Sequence, residues 1–125
     1  MSYLLDTQVF LWYLSNDNKL KDSVKKIIVD PRNNIYVSVA SAWEISIKHN
    51  IGKLTLKTTL KKCFEISNFP VLNISIEHIL DLENLPLLHR DPFDRIIIAQ
   101  SRVENLTLIS SDPKIWRYKI NSLKA

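Results

Sequence analysis

The chain has 125 residues, 46% apolar and 24% charged, with 17 basic residues against 13 acidic ones for a net charge of +4. This is the size of one globular domain, expected over residues 1–125, and no apolar run approaches the ~20 residues that span a bilayer, so no membrane partner is expected. The first residues carry no basic leader and the single cysteine, Cys63, excludes an internal disulfide and a multi-cysteine zinc site, so a signal peptide is not expected and the cytoplasm is the expected compartment.

In chain order, residues 2–5 (SYLL) read as a short buried strand and Thr7–Leu14 as a helix. A second helix is predicted over Lys19–Val29, where Leu20, Val24, Ile27 and Ile28 fall at helical spacing. Residues 30–34 (DPRNN) are turn chemistry. Ile35–Ser38 is a β-branched and aromatic strand, followed by a helix over Val39–Asn50 that Gly52 ends. A helix over Thr58–Asn68, a strand over Val71–Ile74 and a helix over Ile76–Leu85 come next, then a loop over Pro86–Arg90. Asp91–Asn105 starts as helices start, with Asp91 at the cap, Pro92 at the first position and Asp94 in the first turn. Leu106–Ser110 is a strand, Pro113–Tyr118 a short helix or turn, and the tail adds an edge strand around Ile120. Strands alternating with helices define a three-layer α/β/α domain around a mainly parallel sheet.

Five acids interrupt the most apolar stretches: Asp6 in YLLDTQVFLW, Glu44 in VASAWEISIK, Asp91 and Asp94 in LHRDPFDRIIIAQ, and Asp112 in TLISSDPKIW. Each has an ordinary reading beside a chemical one. Asp6, Asp91 and Asp112 stand where helix caps stand, and Asp94 suits the positive end of its helix. Glu44 has the weakest structural reading, because a lone glutamate beside Ala40, Ala42 and Ile45 is costly without a partner. In a parallel sheet the ligand crevice lies at the carboxyl ends of the strands. Asp6 and Asp112 follow strands directly, so acids from four segments can meet there. Carboxylates ~4 Å apart repel by about 4 kcal/mol at an effective dielectric near 20, so a cluster needs raised pKa values or a cation. All-oxygen ligation selects Mg²⁺ or Mn²⁺.

The one glycine, Gly52, excludes a P-loop, a dinucleotide fingerprint and a G-x-S-x-G elbow, each of which needs at least two. Phosphate would therefore be handled by side chains and metal. The basic residues group at 19–26, 48–62 and 114–119, either as solvated helix faces or as contacts to a nucleic-acid backbone. His49, His78 and His89 are scattered without a zinc-protease pair; His89 borders the acids and reads as a loop residue rather than a base.

The segments LLDTQVFLWYL, VSVASAWEISIK, HRDPFDRIIIAQS and LTLISSDPKIWRY, in this order, resemble the PIN-domain ribonucleases, and among them the VapC-type toxins of bacterial toxin–antitoxin pairs. The resemblance covers essentially the whole chain. It implies a PIN fold, RNA cleavage with Mg²⁺ or Mn²⁺, a homodimer and inhibition by a small antitoxin protein. It assigns Asp6, Glu44 and Asp94 to the family's three main acids and Asp112 to a more variable fourth. Asp91 would support the site, and Thr7 and Ser110 would offer hydroxyls to a metal-bound water or a phosphate. Gln8 stands where a histidine is frequent and Ser111 where an arginine is frequent, and the second change removes a phosphate contact. Trp12 lies off the packing stripe of its helix and is a candidate antitoxin contact. Two other readings stay open: a non-catalytic RNA- or protein-binding module on a PIN scaffold, and a receiver-like phosphoacceptor domain, for which the paired acids after the first strand and the strand-end lysine are lacking.

Overall fold

A computed structural model describes residues 1–125. The elements are β1 (Ser2–Leu5), α1 (Thr7–Ser15), α2 (Asp22–Val29), β2 (Asn34–Ser38), α3 (Val39–Asn50), α4 (Leu60–Ser67), β3 (Val71–Leu72), α5 (Ile76–Leu82), α6 (Pro92–Val103), β4 (Thr107–Ser110), α7 (Pro113–Trp116) and β5 (Ser122–Lys124). The strands form one sheet in the order β3-β2-β1-β4-β5, and every pairing is parallel. The expected mainly parallel sheet is therefore wholly parallel. No helix is long and apolar enough to cross a membrane.

Strand periodicity builds the three layers. Tyr3, Leu5, Ile35, Val37 and Ile109 point to one face and pack with Val9, Phe10, Leu20, Val24, Ile28 and Ile45. Leu4 and Leu108 point to the other and pack with Ile96, Ile97, Ile98, Ala99 and Ile115. Alternate residues of one strand thus feed two separate cores, as a sheet covered on both faces requires. The α6 run Ile96–Ser101 is buried all round, which accounts for the apolar stretch Ile96–Ala99; the buried polar Gln100 and Ser101 that follow bond to backbone carbonyls.

Boundaries shift where local hydrogen bonds overrule periodicity. The second helix begins at Asp22 rather than Lys19, because Asp17 takes the backbone N–H groups of Lys19 and Leu20 in a turn; Leu20 stays in the core. The third strand stops at Leu72, and the next residue's carbonyl, Asn73 O, accepts from Gln100 Nε2. The last strand lies at Ser122–Lys124, not around Ile120: Ile120 packs into the second core, while 122–124 pair with Leu108–Ser110. Gly52 does end α3, at φ 76°, a conformation most side chains avoid.

Candidate metal centre

The chain leaves β1 toward β2 on one side and returns through β4 on the other, so the order of the sheet reverses between β1 and β4. Strand ends at such a switch point splay apart and open a crevice. Asp6 closes β1, its N–H bonded to Ile109 O at 3.0 Å, and Ser110 closes β4 beside it. Asp6 is 3% exposed. Its Oδ1 accepts from Val9 N at 2.8 Å and caps α1; its Oδ2 accepts from Ser110 Oγ at 2.6 Å and Ser111 N at 3.3 Å. Asp112 caps α7 through Oδ1, and its N–H donates to Ser110 Oγ at 3.0 Å.

The other acids arrive from two helices. Glu44 is buried on α3. Its Oε2 accepts from Lys48 Nζ at 2.7 Å, and its Oε1 is buried with no hydrogen-bond partner. Asp94 sits in the first turn of α6. It is held there by Asp91, whose Oδ1 accepts from both Phe93 N at 2.9 Å and Asp94 N at 3.0 Å. Asp6, Glu44, Asp91, Asp94 and Asp112 all line one cleft of about 460 Å³, together with Thr7, Lys48 and His89. Ser110 lies beneath it, bonded to Asp6. The two hydroxyls expected to face a ligand have protein partners: Thr7 Oγ1 lies 2.9 Å from Ser41 Oγ, and Ser110 Oγ donates to Asp6.

Two side chains take a larger part in the site than the sequence reading gave them. His89 is not a free loop residue. It is buried, with Nε2 2.7 Å from Asp94 Oδ2 and 3.4 Å from Asp112 Oδ2. Its sequence signal is its place two residues before Asp91 and five before Asp94. Lys48 had a clearer signal, since it stands four residues after Glu44 on the same helix, the spacing at which opposite charges meet.

Burial raises the Asp6 carboxyl to about 6, against the lowering effect of its hydrogen bonds from Ser110, Val9 and Ser111. Burial likewise raises Asp94 to about 7; the hydrogen bond from His89 opposes it, while repulsion from Asp91 and Glu44 adds to it. The Glu44 carboxylate draws the Lys48 ammonium upward. The site thus holds more negative charge than it can neutralise, and one buried carboxylate oxygen lacks a partner. Both facts fit a divalent cation, and a donor set dominated by carboxylate oxygen suits Mg²⁺ or Mn²⁺.

An all-parallel sheet flanked by helices, with acids gathered at its switch point, defines a class of α/β proteins with a carboxylate cleft. Sequence comparison narrows the class: the PIN domain profile matches residues 3–121, and the chain belongs to the PIN-domain family. No curated protein sequence matches it. Among solved structures, the chain is similar to VapBC2 from Rickettsia felis bound to a promoter DNA fragment, at 20% identity and a TM-score of 0.75 over 99% of this chain and 98% of the other. A toxin–antitoxin complex from Klebsiella pneumoniae gives 19% identity and a TM-score of 0.68 over 98% and 96%. VapBC-1 from nontypeable Haemophilus influenzae gives 18% and 0.63 over 99% and 98%. At these identities the likeness is one of fold.

Proposed function

We propose that this PIN domain is a divalent-metal-dependent endoribonuclease and acts as the VapC-type toxin of a toxin–antitoxin pair. The observation that carries the reading is the convergence of Asp6, Glu44, Asp94 and Asp112 from four segments on one cleft, with Glu44 Oε1 buried and unpartnered. Those four carboxylates would hold Mg²⁺ or Mn²⁺. A bound ion of this kind makes a water acidic enough to yield hydroxide and offsets charge on a phosphodiester. The protein's own groups do the positioning. Ser110 fixes the Asp6 carboxylate, Asp91 fixes the start of α6 and so Asp94, and Lys48 holds one Glu44 oxygen while the other stays buried without a partner. Lys48 is half exposed at the rim and offers a positive charge to an entering phosphate.

RNA is the proposed substrate, on the strength of the family resemblance and the chain's basic balance. An antitoxin partner is supported by the toxin–antitoxin complexes among the fold's neighbours. Trp12, half-buried, lines an apolar groove with Leu14, Leu54, Leu56 and Ile66 that suits such a partner. A homodimer is supported by exposed Val39, Trp43 and Ile47, one per turn along α3. The test is cleavage of RNA in the presence of Mg²⁺ or Mn²⁺ by the wild type, Asp6→Asn and Asp94→Asn. The wild type should cut and both variants should lose at least about a hundredfold in rate, the scale of removing one preorganised electrostatic group. Equal cleavage by all three would overturn the reading.

A further inference from the structure

The carboxylate reading leaves His89 without a role, and its surroundings supply one. A buried histidine commonly spends both ring nitrogens on structural bonds, as His78 does here: Nδ1 accepts from Ser75 N at 2.9 Å and Nε2 meets Glu104 at 2.8 Å, tying α5 to the end of α6. His89 is different. Its Nε2 faces two carboxylates of the cleft, and one donor atom from each of His89, Asp94 and Asp112 lies within 4.8 Å of the other two.

The loop that carries His89 is held from behind. The Tyr118 hydroxyl oxygen, on a buried residue, receives the N–H groups of Leu88 at 3.2 Å and His89 at 3.0 Å and a guanidinium N–H from Arg95 at 3.0 Å. The same Arg95 nitrogen donates to Pro86 O at 3.1 Å. A segment without regular secondary structure is thereby fixed, and it presents an imidazole nitrogen to the acids. Supporting bonds of this kind are what orient a ligand residue.

We propose that His89 is a nitrogen ligand of the divalent-ion site and inclines that site toward Mn²⁺ and similar transition ions over Mg²⁺; the proposal rests on the metal-nuclease reading above. The physical reason is donor softness. Magnesium favours hard oxygens and retains its waters, whereas imidazole adds affinity for transition-series ions.

Binding is measured by calorimetry with Mn²⁺ and Mg²⁺ on the wild type, His89→Gln and Asp94→Asn, each first unfolded in EDTA to confirm that it folds. Replacing His89 by Gln should weaken Mn²⁺ binding about tenfold or more and Mg²⁺ binding by less than about threefold. In parallel, Mn²⁺-loaded wild type is grown with ¹⁴N- or ¹⁵N-histidine, and electron spin echo modulation reports any nitrogen bound directly to the ion. A histidine modulation in the wild type that disappears in His89→Gln is the expected result. Absence of that modulation in the wild type would overturn the proposal even if His89→Gln folds poorly, because that measurement needs only the wild type; equal losses for both ions in a folded His89→Gln would overturn it as well. If the wild type binds neither ion, the metal reading itself fails. If it binds both and only Asp94→Asn loses them, that reading stands and the His89 assignment alone falls.

Discussion

Asp6 shows how one side chain serves two ends. It caps α1 with one oxygen, while Ser110 Oγ and Ser111 N hold the other at the end of β4. Of its three hydrogen bonds the one from Ser110 lowers the raised carboxyl most. Substituting Ser110→Ala removes that donor from a buried carboxylate and should cost about 1–3 kcal/mol of unfolding free energy at neutral pH. Urea denaturation in EDTA would read it, and an unchanged midpoint would show that the bond contributes nothing net. Asp94 predicts the opposite sign. Its charge is held against burial and against Asp91 and Glu44. Asp94→Asn should therefore stabilise the metal-free protein at pH 8, on the order of 1–3 kcal/mol, while weakening Mn²⁺ binding. Destabilisation in EDTA would argue that the bond to His89 outweighs the repulsion.

At the scale of elements, the start of α6 decides where Asp94 lies. Asp91 takes two backbone N–H groups of that turn, and Pro92 gives the fixed φ suited to a first helical position. Asp91 also lines the cleft, so capping and ligation need separating. Asparagine caps as well as aspartate does, and alanine does not. Asp91→Asn should leave stability and Mn²⁺ affinity nearly intact. Asp91→Ala should lose about 1 kcal/mol of stability and weaken Mn²⁺ binding through displaced Asp94. If Asp91→Asn abolished ion binding with the fold unchanged, Asp91 would be a ligand rather than a cap. The caps at Asp6, Ser38, Asp91 and Asp112 all open helices at or beside the site, so the signals that start helices here also aim its acids.

Across the whole molecule, the raised carboxyls couple folding to pH, and the proposed ion site would couple it to metal. The folded pKa values of Asp6, about 6, and Asp94, about 7, lie above the ordinary 3.8, so the folded state binds more protons than the unfolded one across this interval. The stability that follows is complete below about pH 4 and is lost as pH rises through 6 and 7. In EDTA the thermal midpoint should fall from pH 5 to pH 8, and Asp94→Asn should remove the upper part of that fall. A cation reverses the slope because it needs the ionised carboxyls: Mn²⁺ should raise the midpoint strongly at pH 8 and little at pH 5, reaching about 2.7 kcal/mol of stabilisation at a hundred times its Kd. A midpoint that is flat with pH and indifferent to Mn²⁺ would contradict both the raised carboxyls and the ion site.

Sequence alone determined the alternation of strands and helices, because periods of 2 and 3.6 are written in single residues such as Leu4 and Leu5, which feed opposite cores. It also marked Asp6, Glu44, Asp91, Asp94 and Asp112, since an acid inside an apolar run is conspicuous without coordinates. It placed the last strand and the start of α2 wrongly, because turn hydrogen bonds at Asp17 and pairing with β4 are not periodic signals. Tertiary structure alone decided which atoms meet. Ser110 reaches Asp6 across 104 positions, and Tyr118 fixes the His89 backbone across 29. His89 faces Asp94 and Asp112 only because a loop, a helix start and a strand end meet at the carboxyl end of the sheet. Local pattern fixes what a residue can be in its own element; the cost of burying unpaired charge is set by neighbours that only the closed fold supplies.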